Sequence, residues 1–468
     1  MPSDFSAIVN PLEPLAQFGA LWNRDYRSRV AASEDRVPVA VALKRGGQLV
    51  ARVDTEVFAA NVPEAKDNLR YLERMAKSML WIHGGSQLIL AGADDVAEAL
   101  AKAYAPGGER AFDADMMGRQ IYREPFAVVK CPREDLAEVS DEAAGDSGRH
   151  TKGCRIGFDL GGSDRKAAAV IDGEVVFSEE IAWDPYFQSD ARYHFEGIRD
   201  SLTRAAKHLP RVDAIGGSAA GVYVANEVRA GSLFRGVAES DFENKVRRIF
   251  FDVMASMGWQ DKPWRVVNDG EVTALAGSMA IGGNSLLGVS MGTSFAAGYV
   301  TAAGTLSTGL NELAFVPVDY RDEGPLDEWS GDRGCGVQFF SQQGIARLAQ
   351  IAGIPFDDTV PFPERLLAIQ KLVETGDHRA EAIYQSIGVS FGYAIAQFSD
   401  WYRLEHLLIL GRVTSGRGGE IILESARRVL DQDFGELSAA LTFHIPDEKQ
   451  KRHGQAIAAA SLAPHPEN

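Results

Sequence analysis

Two strand–turn–strand segments with glycine at the turn constrain the fold of this chain more than any other feature. The first is GFDLGGSDRKAAAV at residues 157–170, and the second is LLGVSMGTSFAAGYV at residues 286–300. In each, an apolar strand enters a tight turn of glycine and hydroxyl residues and a second apolar strand returns. Because glycine has no Cβ, backbone N–H groups in such turns can approach a phosphate closely. The pair predicts two lobes that hold the phosphates of a nucleotide from opposite sides.

The first segment also carries a carboxylate at the position where a nucleotide's metal would lie. Asp159 ends the strand just before the glycine pair, and a carboxylate there can hold the hydrated Mg²⁺ that accompanies ATP. An ordinary hairpin with a glycine turn is the alternative for a DLGG sequence taken alone. The presence of the other segments favours the phosphate-binding interpretation.

Two further segments have the strand–turn–helix pattern of nucleotide and catalytic sites. LLILGRVTSGRGGEIIL at 407–423 runs from a buried strand through a glycine onto a Ser/Gly turn and a helix, which places backbone N–H groups near a nucleotide. RVVNDGEVTALAG at 265–277 puts Asn268 and Asp269 between a strand and a helix. Either residue could simply cap the helix. Between two phosphate hairpins, we predict that Asp269 faces the cleft and is catalytic.

Alternating strands and helices indicate an α/β protein. We predict an additional α/β domain over 1–135 that contains a hairpin at Gly46-Gly47, an acidic linker over 136–153, and two lobes over 154–275 and 276–468. A helix–strand–glycine turn–helix pattern that begins at His83 recurs at His406. This echo allows a duplicated lobe, although an unrelated small domain is the preferred interpretation.

The charge and cysteine content exclude several classes of protein. The chain of 468 residues has a formal net charge of −17, and residues 1–150 hold 18 basic against 23 acidic side chains. We therefore expect no nucleic-acid partner and no DNA-binding N-terminal module. No segment predicts a membrane span or a secretory signal, and three scattered cysteines fit a reducing cytoplasm. The sequence does not determine the oligomeric state, and a homodimer is the assembly that we test first.

The four segments, in this order, resemble the ROK family of sugar kinases and repressors over residues 155–430. The resemblance implies a two-lobed actin-like ATPase (ribonuclease H-like) core with an extra N-terminal α/β segment, and ATP and Mg²⁺ as cofactors. It assigns Asp269 as the general base and Asp159 to Mg²⁺. The remaining expected contacts are Gly161, Gly162, Ser163, Gly292, Thr293 and Ser294 for the phosphates, Gly411, Ser415 and Gly416 near the adenosine, and Asn268, Glu312, Ser218 and Gly221 for the acceptor.

The chain departs from the family where relatives carry a GExGH segment and a CxCGxxGCxE zinc segment. Phe315 stands at the histidine position, and Glu328 and Ser330 replace two of the three cysteines, so that only Cys335 remains. Losing three of four ligands precludes the usual zinc tetrahedron. We predict no structural zinc.

The acceptor pocket is altered as well. Phe315 and Val337 replace two polar residues that bind sugar hydroxyls in the family, and an unpaired buried hydroxyl costs about 1–3 kcal/mol. The acceptor is therefore not expected to be glucose in the usual pose. Trp329, Phe339 and Phe340 could form an aromatic wall for a sugar ring, with ordinary packing an equally good interpretation.

These observations predict an ATP-dependent kinase that acts on a hydroxyl of a sugar or sugar derivative. A sensor or regulator that kept the fold without the chemistry is the alternative. A third hypothesis makes residues 1–150 a separate enzyme or oligomerisation domain. There His83 is more simply structural, and Asp113 and Asp115, which could chelate a metal, are better interpreted as a solvated turn.

Overall fold

The computed structural model describes residues 7–139, 147–445 and 448–465. The predicted hairpin at Gly46-Gly47 is confirmed, because both glycines have positive φ and join two antiparallel strands rich in valine and alanine. The helices and strands of the N-terminal part are α1 (Gly19–Ala31), β1 (Arg36–Arg45), β2 (Gln48–Phe58), α2 (Asn68–His83), β3 (Gln87–Ala91), α3 (Asp94–Ala103), α4 (Ala111–Asp115) and β4 (Ala127–Cys131).

The N-terminal sheet has the strand order β2-β1-β3-β4, in which only β3 and β4 are parallel. Its helices do not enclose a core of their own. The buried faces of α1 and α2 belong to a hydrophobic core that continues into residues 287–441. Trp81 of α2, for example, packs on Phe315 with 4.3 Å between ring centroids. The boundaries of the predicted domains stay a prediction, and residues 140–146 of the expected linker lie outside the described residues.

The middle sheet contains the first hairpin segment. Its elements are β5 (Cys154–Leu160), β6 (Asp164–Ile171), β7 (Glu174–Ala182), α5 (Ala191–Ala206), β8 (Ala214–Ala219), β9 (Val222–Val224), β10 (Glu227–Ala230), α6 (Glu239–Asp241), α7 (Ile249–Ser256) and β11 (Trp264–Asn268). The strand order is β11-β8-β5-β6-β7, with β9 and β10 paired separately. Because β5, β8 and β11 are parallel, their carboxyl ends meet at one edge, where Asp159 pairs with Ser218 and Asn268 with Ala219.

The C-terminal sheet contains the second hairpin segment. Its elements are α8 (Asp269–Ile281), β12 (Leu286–Met291), β13 (Phe295–Val300), α9 (Gln342–Ile351), α10 (Phe362–Glu374), α11 (His378–Phe398), β14 (His406–Leu410), α12 (Gly416–Asp433), α13 (Gly435–Ala440) and β15 (Thr442–His444). The order is β13-β12-β14-β15. The repeated pattern places β3 after His83 and β14 at His406. In this sheet β14 is parallel to β12, whereas β3 is antiparallel to β1. This difference in strand direction disfavours a duplicated lobe.

The final helix, α14 (Glu448–Ala460), returns to the middle sheet. Two glycines of that sheet permit its close approach: a Cβ on Gly157 would lie 2.4 Å from the Ala456 carbonyl oxygen, and one on Gly216 only 1.9 Å from that of Ala459. In the three described ranges, none of the helices has both the length and the apolar character that a membrane crossing needs.

Candidate functional site

The edge where the parallel strands end brings together two predicted residues. The Ser218 hydroxyl donates a 2.7 Å hydrogen bond to Oδ1 of Asp159. The Lys166 ammonium lies 3.6 Å from the other carboxylate oxygen of Asp159 and 3.1 Å from Asp164. Ser218 was expected to bind the acceptor, but it is almost fully buried in β8. Its hydrogen bond orients the carboxylate expected to serve Mg²⁺, and its contact with an acceptor stays a prediction.

Of the two residues that could cap the following helix, Asn268 is the one whose side chain does so. Its side-chain oxygen accepts from the Gly270 N–H at 2.7 Å, and its amide nitrogen donates to the Gly221 carbonyl at 2.7 Å. Glu271 completes a capping box by accepting from the Asn268 N–H at 3.1 Å. Because Asn268 is the cap, Asp269 is not needed for that purpose.

Asp269 begins α8 at the junction of the two sheets. The first turn of α8 touches β13 so closely that a Cβ on Gly270 would lie 2.2 Å from the Ala297 carbonyl oxygen. Removal from water and the nearby Asp159 carboxylate raise the pKa of Asp269 to about 6, against the lowering effect of the Gly270 N–H. A carboxylate with such a pKa is ionised at neutral pH and is well suited to accept a proton.

The first glycine turn is held by its own backbone. The Gly161 N–H donates to the Asp164 carbonyl at 2.9 Å, and the Gly161 carbonyl accepts from the Trp183 indole at 2.7 Å. A Cβ on Gly162 would lie 2.0 Å from the Tyr186 hydroxyl, so a larger residue there would require the Tyr186 side chain to move. Ser163 is exposed at the tip.

The second glycine turn adjoins the strand–helix segment that begins at Gly411. The Gly292 N–H donates to the Ser294 carbonyl at 2.9 Å, and the hydroxyls of Thr293 and Ser294 are on exposed residues. Gly411 has φ of +106°, and a Cβ on it would lie 2.2 Å from the Met291 carbonyl oxygen. The structure therefore brings these two segments side by side, with Ser415 and Gly416 exposed where α12 begins.

A cleft of about 450 Å³ opens beside the Asn268 cap. Three residues predicted to contact the acceptor line it: Gly221, Asn268 and Glu312. Its other side chains include four that sequence reasoning missed: Arg45, Tyr122, Tyr223 and Glu271. Glu271 has the signature of a capping box and so gave no sign of a second role. Arg45 and Tyr122 come from the N-terminal part, where no motif marked them.

Two carboxyl groups of the cleft, those of Glu271 and Glu312, have raised pKa values. Removal from water raises the pKa of Glu271 to about 7, although Arg265 opposes this. The same cause, together with the charges of Asp269 and Glu271, raises the pKa of Glu312 to about 8. Near neutral pH these side chains can donate as well as accept hydrogen bonds, as a polyhydroxylated ligand requires.

In the region where relatives carry the zinc ligands, the side chains form aromatic contacts, hydrogen bonds and ion pairs. Phe315 lies between Trp81 and Trp329, and Ser330 donates to Asp327 at 2.5 Å. The thiol of Cys335 is buried, 3.7 Å from an Asp332 carboxylate oxygen. In the part of the chain that the structure describes, no three His, Cys, Asp or Glu side chains are grouped to hold a metal ion. The absence of structural zinc stays a prediction for metal analysis.

Asp332 joins a buried ion network with the N-terminal part. The Lys77 ammonium lies 2.8 Å from Asp113 and 3.1 Å from Asp332, which Arg110 also contacts at 2.7 Å. Burial favours the neutral acid of Asp332, but Lys77, Arg74 and Arg110 outweigh it and lower its pKa. The solvated turn expected for Asp113 is wrong, because Asp113 is buried in α4 and paired.

The structure corrects or supports two other expectations. The aromatic wall is wrong for Phe339 and Phe340, which are buried in the continuous core. Trp329 is exposed and packs on Phe112 and Phe315. His83 behaves as a structural residue, since burial and then Arg45 lower its pKa to about 4 and its ring lies 6.1 Å from that of Trp401.

Solved structures share this architecture. The ROK hexokinase from Thermus thermophilus matches 66% of this chain and 98% of its own at 20% identity, with a TM-score of 0.50. A ROK family glucokinase from Streptomyces griseus, solved with glucose and AMPPNP, matches 66% and 99% at 19% identity with the same score. A ROK family transcriptional regulator, a homologue of the E. coli MLC protein, matches 66% and 78% at 18%, again at 0.50.

These likenesses show the fold: a mixed α/β protein with the actin-like ATPase architecture of ROK sugar kinases. The same fold occurs in a regulator, so the fold by itself does not decide between catalysis and regulation. No protein-family model matches the chain, and no curated protein matches it.

Proposed function

We propose that this protein transfers the γ-phosphoryl group of ATP to a hydroxyl of a sugar or sugar derivative. The observation that carries the proposal is the position of Asp269, whose carboxylate lies near Asp159 and whose neighbour in the chain, Asn268, lines the polar cleft. Removal from water and the charge of Asp159 raise the pKa of Asp269 to about 6. In such a reaction the acceptor oxygen forms a bond to phosphorus, ADP leaves, and the hydroxyl proton passes to Asp269.

The residues present fit Mg·ATP. The Asp159 carboxylate is oriented by Ser218, and the two glycine turns place the exposed residues Ser163 and Thr293 at their tips. The Ser163 hydroxyl donates to Asp164 at 2.8 Å and would exchange this partner for a phosphate oxygen. When bound, Mg·ATP supplies the phosphoryl group and a metal charge that neutralises it. The protein's own contribution is to orient the acceptor and to remove its proton. The glucokinase from Streptomyces griseus, which was solved with AMPPNP, supports this choice of nucleotide.

A regulator that binds ligand without turnover is the second candidate. One observation favours it: the Lys166 ammonium, 3.6 Å from Asp159, partly satisfies that carboxylate without a metal. The ROK regulator of the same fold adds support. The position of the Asp269 carboxylate near Asp159 counts against it, since a site for binding alone has no need of a proton acceptor there.

The test measures ADP release from Mg·ATP by the full chain across a panel of neutral, acidic and amino sugars. We expect one class to raise the rate well above the rate without acceptor. In parallel, Mg·ATP should raise the melting temperature, because a ligand that binds only the folded state stabilises it. Stabilisation by Mg·ATP without turnover on any acceptor would support the regulator, and the absence of both would contradict both candidates.

A further inference from the structure

The N-terminal part forms one wall of the acceptor cleft. The backbone N–H groups of Asn311 and Glu312 donate to the Ile82 and Trp81 carbonyls at the end of α2, at 3.0 and 2.9 Å. The stretch that carries Glu312 is therefore held by the N-terminal part. Arg119 and Arg123, which flank Tyr122, reach Glu239 and Glu243 of the middle-sheet region at 3.0 and 3.2 Å. Residues on either side of the cleft are thus joined through this added segment.

Arg45 projects from the end of β1 into this cleft with most of its hydrogen-bonding capacity unused. One guanidinium nitrogen donates to the Thr308 carbonyl at 2.9 Å, and the guanidinium carbon lies 5.7 Å from the centroid of the Tyr122 ring. Within the described residues no carboxylate lies within ion-pairing distance of Arg45. The guanidinium fork is free to receive an anion in a bidentate manner.

Two further polar side chains, Tyr122 and Arg265, line the cleft together with Arg45. The Tyr122 hydroxyl is buried next to Arg45. Burial raises the pKa of Tyr122, and the charge of Arg45 and a hydrogen bond with it oppose this rise. The hydroxyl is admitted by Gly84, where a Cβ would lie 1.8 Å from the hydroxyl oxygen. Arg265 also lines the cleft without an ion pair to a described residue. A phenolic hydroxyl that accepts a hydrogen bond from Arg45 keeps its own proton, which it can donate to a ligand.

We infer that the acceptor carries an anionic group, a carboxylate or a phosphate, which Arg45 binds with Tyr122 as an additional hydrogen-bond donor. This inference rests on the proposed function and deepens it. Asn268 and Glu312 then meet the hydroxyl-bearing part of the ligand next to Asp269, and Arg45 meets its charged part. The cleft volume, about 450 Å³, lies within the range of pockets that enclose small-molecule ligands.

The experiment compares an aldohexose with its aldonic acid, its uronic acid, its 6-phosphate and its 2-amino derivative. For the full-length protein we expect kcat/KM for an acidic sugar to exceed that for the neutral hexose at least tenfold. The two acids and the phosphate separate the two sources of charge. Arg45→Gln should reduce this selectivity by about 10- to 100-fold through KM, because a hydrogen bond to a charged group is lost. Arg45→Lys should restore part of it.

Arg36→Gln is the matched control, since Arg36 lies at the other end of β1, is exposed and pairs with Glu56. Its selectivity should equal that of the unmodified chain. Equal use of neutral and acidic sugars, or a preference for the amino sugar, would overturn the inference while ATP-dependent transfer stood. Melting curves of each variant identify one that fails to fold, and Arg45→Lys then carries the test.

Calorimetric titration of the acidic sugars without nucleotide separates this inference from the proposed function. Binding that Arg45→Gln weakens tenfold or more, without turnover on any acceptor, would support the anion site and contradict the kinase. Turnover of a neutral sugar without measurable binding of any acidic one would do the reverse. Neither binding nor turnover would contradict both.

Discussion

The proposed nucleotide half and the proposed acceptor half of this site are built in different ways. The phosphate turns and Asp159 lie in two short, contiguous hairpins, each held by its own backbone hydrogen bonds. The acceptor cleft is assembled from 221–226, 264–268 and 307–312, with Arg45 and Tyr122 added from the N-terminal part. A half made of local segments keeps a recognisable sequence pattern. A half made of distant side chains is free to change its ligand while the fold persists.

Asp269 belongs to both halves, which makes its substitution the most damaging. Asp269→Asn keeps the volume and the start of α8 but cannot accept a proton. We expect kcat to fall about 10²- to 10⁴-fold with the best acceptor, the usual contribution of a side-chain base. Binding of Mg·ATP, measured by calorimetry, should change little.

Asp95→Asn is the control, because Asp95 is exposed in the first turn of α3. Full activity in Asp269→Asn would show that Asp269 is not the catalytic base, and the regulator would then be the better candidate.

The difference between the halves also explains what the sequence could predict. The hairpins, the strand–helix junction at Asp269 and the actin-like fold were predictable, because each depends on neighbouring residues and strand order. The hydrogen bond of Ser218 to Asp159 was not predicted, because Asp159 lies 59 residues away and meets Ser218 only through the pairing of β5 with β8. Asp113 and Arg45 could not be placed, because burial and pairing across sheets are tertiary properties that no local pattern encodes.

The buried ion network of Lys77, Asp113 and Asp332 joins the N-terminal part to the rest of the chain. Breaking it tests how much this connection stabilises the fold. Lys77→Met leaves Asp113 and Asp332 buried without their shared cation. Removing one partner of a buried pair typically costs about 3–5 kcal/mol of unfolding free energy. Urea unfolding should show a loss of this size.

Lys130→Met is the matched control, since Lys130 forms exposed pairs with Asp94 and Glu98, and its unfolding free energy should change far less than that of Lys77→Met. Equal losses in the two variants would mean that the network is not a support. Metal analysis completes the test: near-stoichiometric zinc in the purified protein would contradict its predicted absence and assign the support to a metal instead.

Ser218→Ala separates the two halves by affecting the nucleotide half alone. The variant loses the 2.7 Å hydrogen bond that orients Asp159. A hydrogen bond to a charged group contributes about 1.5 kcal/mol or more, so KM for Mg·ATP should rise about tenfold. The KM for the acceptor should stay nearly constant. A rise confined to the acceptor KM would return Ser218 to the role first predicted for it.

The smallest expected effect is the pH dependence, which reports on the junction of the halves without any substitution. A base must be ionised, and the pKa of Asp269 is raised to about 6 because the group is removed from water near Asp159. The ionised fraction therefore falls as the pH falls. We expect kcat/KM to drop about twofold between pH 7.5 and pH 6, and about tenfold per unit at lower pH.

The origin of this acid limb can be assigned with Glu312→Gln. The pKa of Glu312 is raised to about 8, so a limb due to Glu312 would lie nearer pH 8 and vanish in the variant. If Asp269 is the base, Glu312→Gln should bind the acceptor less well yet keep its midpoint near pH 6. The residual activity of Asp269→Asn should then be independent of pH over the same interval. A limb near pH 6 that persisted in Asp269→Asn would show that another group removes the proton.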